Sequence, residues 1–303
     1  MAPIRIKFWG VRGSIPTPGP RTVGFGGNTS CLEVQFPGQP LFILDAGSGI
    51  RELGKVLLGR DEPIHACIFI SHFHWDHIQG LPFFKPAFKP GNRFDVFGCN
   101  EPNMKLHEII SWQMNPTYFP VAIEDMRAEV AFHAIGQQSF RVGEVQVCTH
   151  FLNHPGYTLG YKFVFNGKSL IYMCDNEPFL QYTHGHTGDK PTIDSVEELF
   201  ESFVDNKEEA LLHFIDQADL LIHDAQYFPE EYKQRITWGH SPYTYAVELA
   251  VKARVKQLIL FHHDPDHDDA TVERKVYESR QLLKEHGYEI PCSAAREQEI
   301  VEL

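Results

Sequence analysis

The sequence predicts a layered α/β fold. Short apolar runs with strand character recur in both halves of the chain, and apolar residues at helical spacing fall between them. Hydrophobic residues make up 43% of the 303, enough to bury a sizeable core. Four of the apolar runs stop at a histidine or an aspartate, and strand ends are where layered α/β proteins bind ligands.

Ile4 to Phe8 alternates with Arg5 and Lys7 as a first strand. Gly10-Val11-Arg12-Gly13-Ser14 leaves it, followed by a Pro- and Gly-rich loop to Gly27 of the kind that lets backbone approach a ligand. Thr29 to Phe36 and Leu41 to Leu44 read as the next strands, the latter ending at Asp45-Ala46-Gly47, where Asp45 reads as a turn or cap residue. Ile50, Leu53, Val56 and Leu57 recur at helical spacing, and Gly59 ends that helix. Ala66 to Ile70 is a buried strand; Phe94 to Phe97, Val130 to Ile135 and Val145 to Thr149 are further strands, with a helix from Pro102 to Trp112. Tyr118-Phe119-Pro120 is an apolar loop, read first as core or edge packing and second as a pocket lining. Tyr161 to Phe165 and Ser169 to Cys174 form a hairpin about Asn166-Gly167.

Asn176 to Gln217 is a polar loop with His184 and His186, then a helical run from about Asp194; it suits a lid or an oligomer contact. Asp219 to Ile222 is a strand. Ser241 as N-cap and Pro242 at the first helical position open a helix with a stripe of Ala246, Val247, Ala250 and Val251. Val255 to Phe261 is the last clear core strand, and a helix from Ala270 to His286 stops at Gly287. No low-complexity linker divides the chain, so residues 1–303 read as a single domain with an insertion at about 176–217.

A net charge of -13 without a run of Lys and Arg disfavours long nucleic acid and anionic membrane surfaces as partners. Any phosphate binding must then rely on metal charge. Six scattered cysteines with no Cys-x-x-Cys pair suit free thiols in a reducing cytoplasm. The N-terminal Met-Ala-Pro-Ile-Arg-Ile-Lys lacks the apolar core of a signal peptide, and no apolar run approaches a membrane span.

The densest chemistry is His72-Phe73-His74-Trp75-Asp76-His77, directly after a strand. His72 and His74, two apart, leave an extended segment on the same side. Asp76 and His77 arrive as the chain turns and face a neighbouring position, so the spacing suits two adjacent metal ions better than one. These ligands fit zinc, and also iron or manganese. Further metal-type residues end strands at His154, Asp175, His223-Asp224 and His262. His184 and His186, in a Gly-rich loop with no nearby carboxylate, make a poor preorganised site.

The His-x-His-x-Asp-His form resembles that of the metallo-β-lactamase superfamily. Gly26-Gly27-Asn28-Thr29-Ser30 followed by Leu44-Asp45-Ala46-Gly47 is similar to the N-terminal half of its ribonuclease Z-like branch. His154-Pro155-Gly156, Gly160-Tyr161, Asp175, His223-Asp224-Ala225, His240-Ser241 and His262 resemble its later motifs in the same order. The Phe8 to Ser14 head and the Phe261-His262-His263-Asp264 tail look like a bacterial subgroup described as cyclic-nucleotide phosphodiesterase-like. The resemblance implies a four-layer αββα sandwich with its site at one edge between the sheets. It implies one metal on His72, His74 and His154, a second on Asp76, His77 and His262, and Asp175 bridging both. It makes His240, oriented by Asp224, the candidate proton donor, gives Asp76 a further role in orienting the nucleophile, and favours His262 over His263 as ligand, leaving His263 behind the ligands or against substrate; Arg12 and Ser14 are further candidate substrate contacts. Where the branch often has His-Glu-Ala-Thr, this chain has His223-Asp224-Ala225-Gln226, a shorter acid. No long Gly- and basic-rich arm for gripping transfer RNA is present.

The expectation is a dinuclear metal-dependent phosphodiesterase acting on a small diester such as a 3′,5′-cyclic nucleotide, in the cytoplasm, with a homodimer as one possibility. The alternatives are a transfer-RNA 3′-processing endoribonuclease, a thioester or lactone hydrolase on the same fold, and a metal-binding or regulatory protein without turnover.

Overall fold

Two seven-stranded sheets face one another in the computed structural model, which describes residues 2–179 and 206–303. The first holds β1 (Arg5–Gly10), β2 (Cys31–Gln35), β3 (Leu41–Leu44), β4 (His65–Phe69), β5 (Arg93–Gly98), β6 (Glu129–Ala134) and the C-terminal β14 (Ile300–Glu302), in the order β14-β1-β2-β3-β4-β5-β6. The second holds β7 (Ser139–Val142), β8 (Val145–Phe151), β9 (Leu159–Phe165), β10 (Lys168–Met173), β11 (Leu220–Asp224), β12 (Leu258–Phe261) and β13 (Cys292–Ala294), in the order β13-β12-β11-β10-β9-β8-β7. In each sheet one half is antiparallel, and β3 to β6 and β10 to β13 are parallel.

The helices are α1 (Ile50–Leu58), α2 (Trp75–Ile78), α3 (Leu106–Trp112), α4 (residues 206–215), α5 (Pro229–Tyr232), α6 (Tyr243–Lys252) and α7 (Asp269–Glu285). They cover the outer faces, and side-chain alternation along the strands shows how. On β4, Cys67 and Phe69 enter the layer between the sheets, whereas Ala66 and Ile68 turn outward to the core shared with Leu53 and Leu57 of α1. On β10, Leu170 and Tyr172 point inward, and Ile171 and Met173 pack with Ala246 and Ala250 of α6. Strands buried on both faces read as continuous apolar runs for this reason. Phe69 ties the sheets together, with ring centroids 4.9 Å from Phe97 and 5.3 Å from Phe163. The result is the expected αββα sandwich.

Several local expectations change. β7, β13 and β14 were not expected: they are four, three and three residues long, too short to show a period, and long-range pairing makes them strands. The third helix begins at Leu106 rather than Pro102, because Glu101 and Met104 close a bridge first. Ser241 does not cap α6: its hydroxyl donates to the Asn176 carbonyl, and Pro242 takes the N-cap position with extended backbone. Phe119 packs against Phe83 at 5.2 Å, while its neighbour Tyr118 is exposed. His184, His186 and the start of the helical run at Asp194 lie outside the described residues. Among the described residues no helix is long and apolar enough to cross a membrane.

Candidate metal centre

Chain direction sets the site. β8 and β10 run the same way, each antiparallel to β9, and β11 and β12 run parallel to β10. The chain therefore leaves β8, β10, β11 and β12 at one edge of the second sheet. There it delivers His154, Asp175, Asp224 and His262, opposite His72 to His77 at the exit of β4.

Two ligand groups meet on one carboxylate. Asp175 Oδ2 lies 3.5 Å from His72 Nε2 and 3.7 Å from His154 Nε2. His74 Nδ1 is 3.0 Å from His154 Nε2 and completes that group. Asp175 Oδ1 lies 3.2 Å from His77 Nε2 and 3.3 Å from His262 Nε2. Asp76 Oδ2 joins the second group, 3.3 Å from His77 Nε2 and 3.1 Å from His262 Nε2. The two oxygens of Asp175 thus address different groups.

The second nitrogens of four histidines are each held. Ser71 Oγ lies 3.1 Å from His72 Nδ1, Asp45 Oδ2 is 2.8 Å from His77 Nδ1, the Gly239 carbonyl is 2.7 Å from His154 Nδ1, and Gln226 Oε1 is 2.9 Å from His262 Nδ1. Acceptors at Nδ1 fix the tautomer with its lone pair on Nε2, which is how metal-binding imidazoles are prepared. Asp45 does far more than close a turn. Its carboxylate also accepts from the Ser71 backbone, the Ser71 hydroxyl and Tyr172.

The chemistry of the donor set fits divalent cations. His72 Nε2, His77 Nε2 and Asp175 Oδ1 are buried without a hydrogen-bond partner. Such atoms are costly to leave unsatisfied, and a cation in each group would satisfy them. In the metal-free protein burial pushes His72 well below its ordinary pKa, with the charge of His77 adding to it, and burial pushes His154 down to about 4. Burial would raise Asp175, yet His262, His77 and His72 hold it well below the carboxylate range. Neutral His72 and His154 beside an ionised Asp175 are the protonation states that metal binding requires. At His77, by contrast, burial is outweighed by Asp175 and Asp76, which raise its pKa well above the ordinary value, so a cation there would displace a proton.

Beside both groups stands His240. Its ring is 5.3 Å from that of His154 and stacks on that of His262 at 4.9 Å. Asp224 Oδ2 is 2.9 Å from His240 Nδ1, so the shorter acid reaches its partner. Burial works to lower the His240 pKa, but Asp224, then Asp175 and Asp76, raise it to about 9 in the metal-free protein.

Residues 42–189 match the β-lactamase superfamily domain. The chain has the metallo-β-lactamase fold. It is similar to the ribonuclease Z of Picrophilus torridus, 26% identical with 92% of this chain and 94% of that one covered, and to the ribonuclease Z of Thermoplasma acidophilum, 23% identical with 93% and 95% covered. Among solved structures, the metallo-β-lactamase fold protein YhfI from Bacillus subtilis superposes with a TM-score of 0.66 at 15% identity, covering 99% of this chain and 100% of that one. A diphosphatase from the PhnP family superposes with a TM-score of 0.62 at 17% identity, covering 99% and 98%.

Some expected residues fall elsewhere. Arg12 is fully buried, and its guanidinium donates to the carbonyls of Gly26, Asp264 and His267. It ties its own loop to the one after β12 and faces no solvent. His263 is also buried: Nε2 donates to the Ala295 carbonyl and the ring packs edge-on to Phe25 at 5.7 Å, which removes it from the substrate side. Ser14 is exposed and takes part through its backbone, donating N–H to Asp76 Oδ2 at 2.7 Å. His223 points to the helix layer, 6.1 Å from the Tyr245 ring, because adjacent residues of β11 face opposite ways. Gln226 was not foreseen. Its place three residues after His223 drew attention as a departure from a family pattern, but nothing in the sequence pairs it with His262.

Proposed function

We propose that the protein is a metal-dependent phosphoric diester hydrolase whose site holds two divalent ions, one on His72, His74 and His154, the other on Asp76, His77 and His262, with Asp175 shared. The carrying observation is the single carboxylate whose two oxygens face two separate His-rich groups. Divalent ions held there supply Lewis acidity, lowering the pKa of water and neutralising phosphate charge.

The chain's own residues do the rest. Asp76, fixed by the Ser14 amide, presents a carboxylate oxygen where an attacking water must be oriented. Diester cleavage expels a poor alkoxide, and a proton supplied at the leaving oxygen lowers that barrier. His240 carries this proton on Nε2: Nδ1–H is engaged by Asp224, which also stabilises the cationic ring before transfer. The imidazoles of His154 and His262 flank it and limit water access. A thiolate leaves without a proton donor, so the His240–Asp224 pair favours phosphate esters over thioesters.

Within that class we favour a small diester such as a 3′,5′-cyclic nucleotide. A net charge of -13 and the absence of a basic run support it. A transfer-RNA 3′-processing endonuclease is the second reading, favoured by the ribonuclease Z relatives over nearly their whole length. Metal analysis with a panel of bis(p-nitrophenyl) phosphate, cyclic nucleotides and precursor transfer RNA tests both. Cleavage of the small diesters supports the first, cleavage of precursor transfer RNA alone supports the second, and two bound metals with no diester cleaved overturns the reading.

A further inference from the structure

We infer that Glu177 is a positioning residue that sets both His154 and His240 through the loop at residues 237–239; the inference rests on the phosphodiesterase reading for its kinetic consequence. Glu177 lies two residues beyond Asp175 and is buried. Its carboxylate accepts three donors: the Thr237 amide at 2.7 Å, the Tyr232 hydroxyl at 3.0 Å and the Gly239 amide at 3.0 Å. That loop needs holding, because Thr237 has φ 76° and Gly239 has φ 85°, in the left-handed region.

Both functional consequences pass through Gly239. Its carbonyl accepts from His154 Nδ1 at 2.7 Å, and it is packed so closely that an added Cβ would lie 2.2 Å from that nitrogen. The next residue is His240. On the other side the backbone of Glu177 is zipped to the strand-tip segment before His154: its amide donates to the Asn153 carbonyl at 2.7 Å, and the Asn153 side chain donates to the Glu177 carbonyl at 3.0 Å. One buried acid therefore locks the segments carrying Asp175, His154 and His240 to one another.

Glu177→Gln tests this. The amide keeps the shape but turns one acceptor into a donor, which then confronts an N–H of the loop. The fold should survive, with an unchanged far-UV circular dichroism spectrum. A metal titration should show one of two ions weakened about tenfold, as expected when the orienting partner of a ligand shifts. The kcat for a 3′,5′-cyclic nucleotide, with its alkoxide leaving group, should fall at least about tenfold. The kcat for bis(p-nitrophenyl) phosphate should fall far less, since its leaving group needs little protonation. A residue that merely supports the fold would lower both substrates alike. Gly239→Ala, which strikes the loop itself, should show the same pattern and stands in if Glu177→Gln does not fold. Unchanged metal affinity together with an equal effect on both substrates overturns the inference. If the unaltered protein binds two metals and cleaves neither these diesters nor precursor transfer RNA, the phosphodiesterase reading fails, and the metal titration alone then decides the role of Glu177.

Discussion

Lys275 gives the most quantitative prediction about how this site is supported. Its amine is fully buried and donates to the carbonyls of Ala225 and Gln226, at 2.6 and 2.8 Å, where the chain leaves β11. It thus fixes the backbone of the residue whose side chain orients His262. Burial lowers the amine's pKa to about 8 against an ordinary 10.5, a fall that Asp264, Glu231 and Asp224 only partly oppose. Between those two values the unfolded chain holds a proton that the folded chain has released, so stability rises with pH across that window. The full swing is about 3 kcal/mol, at about 1.4 kcal/mol for each tenfold change in proton affinity. Lys275→Met cannot titrate. Urea unfolding of both proteins from pH 7.5 to 10.5 should therefore show the native protein gaining about 3 kcal/mol relative to the variant, whatever their offset at pH 7.5. The offset itself reflects lost hydrogen bonds against a removed buried charge, and the two have opposite signs. Parallel stability curves would refute the reasoning, since they would mean that Lys275 stays as fully charged in the folded protein as in the unfolded chain across the range.

Three further outcomes follow from the geometry. Asp45→Asn removes a carboxylate that serves Ser71, His77 and Tyr172 together, so affinity for one metal should fall roughly 10- to 100-fold by calorimetric titration. Gly13→Ala would place a Cβ 2.3 Å from the His262 ring; we expect a loss of about 1–3 kcal/mol and a smaller rise in melting temperature on adding metal than in the unaltered protein. His240→Ala should leave two metals bound by elemental analysis while slowing cleavage of a cyclic nucleotide roughly 100- to 10,000-fold; loss of the metals instead would make His240 a ligand.

The strands and their tips were legible because burial on both faces writes an unbroken apolar run, and a sudden His or Asp then marks where it meets the edge. His72 to His77, His154, Asp175 and His262 converge as that pattern suggests. What stayed hidden is long-range. Gln226 meets His262 across 36 residues and Tyr172 meets Asp45 across 127, contacts that no local period encodes. Arg12 shows the converse error. The sequence makes Arg12, in the Phe8 to Ser14 head, a candidate substrate contact, whereas that loop brings backbone close to His262, with Arg12 filling the space behind. Likewise Ser241 and Pro242 carry the composition of a helix start, but tertiary demand on the Ser241 hydroxyl moves the cap by one residue.

Among the described residues, three of the eight non-glycine residues with left-handed backbone act directly on the ligand groups. Ser14, Asp45 and His262, with φ of 64°, 57° and 57°, are non-glycine residues in the left-handed region, each close behind a strand: β1, β3 and β12. Each such conformation costs about 1–3 kcal/mol. Glycine would relieve it, and at Asp45 and His262 glycine would also delete the group that matters. A strand continuing past its end would alternate its side chains between the core and the helix layer, and neither direction reaches the edge between the sheets. A left-handed turn breaks that alternation. At Ser14 it aims an amide at Asp76, at Asp45 it swings a carboxylate beneath His77, and at His262 it points an imidazole at Asp175. Ser14, Asp45 and His262 act on the second ligand group, while the first is held by the Glu177 loop, left-handed at Thr237, and by Ser71, which Asp45 also binds. The two halves of the centre are therefore linked through Asp45 and Asp175, with left-handed residues behind strand ends aiming the second group and a left-handed loop anchored on Glu177 holding His154 of the first.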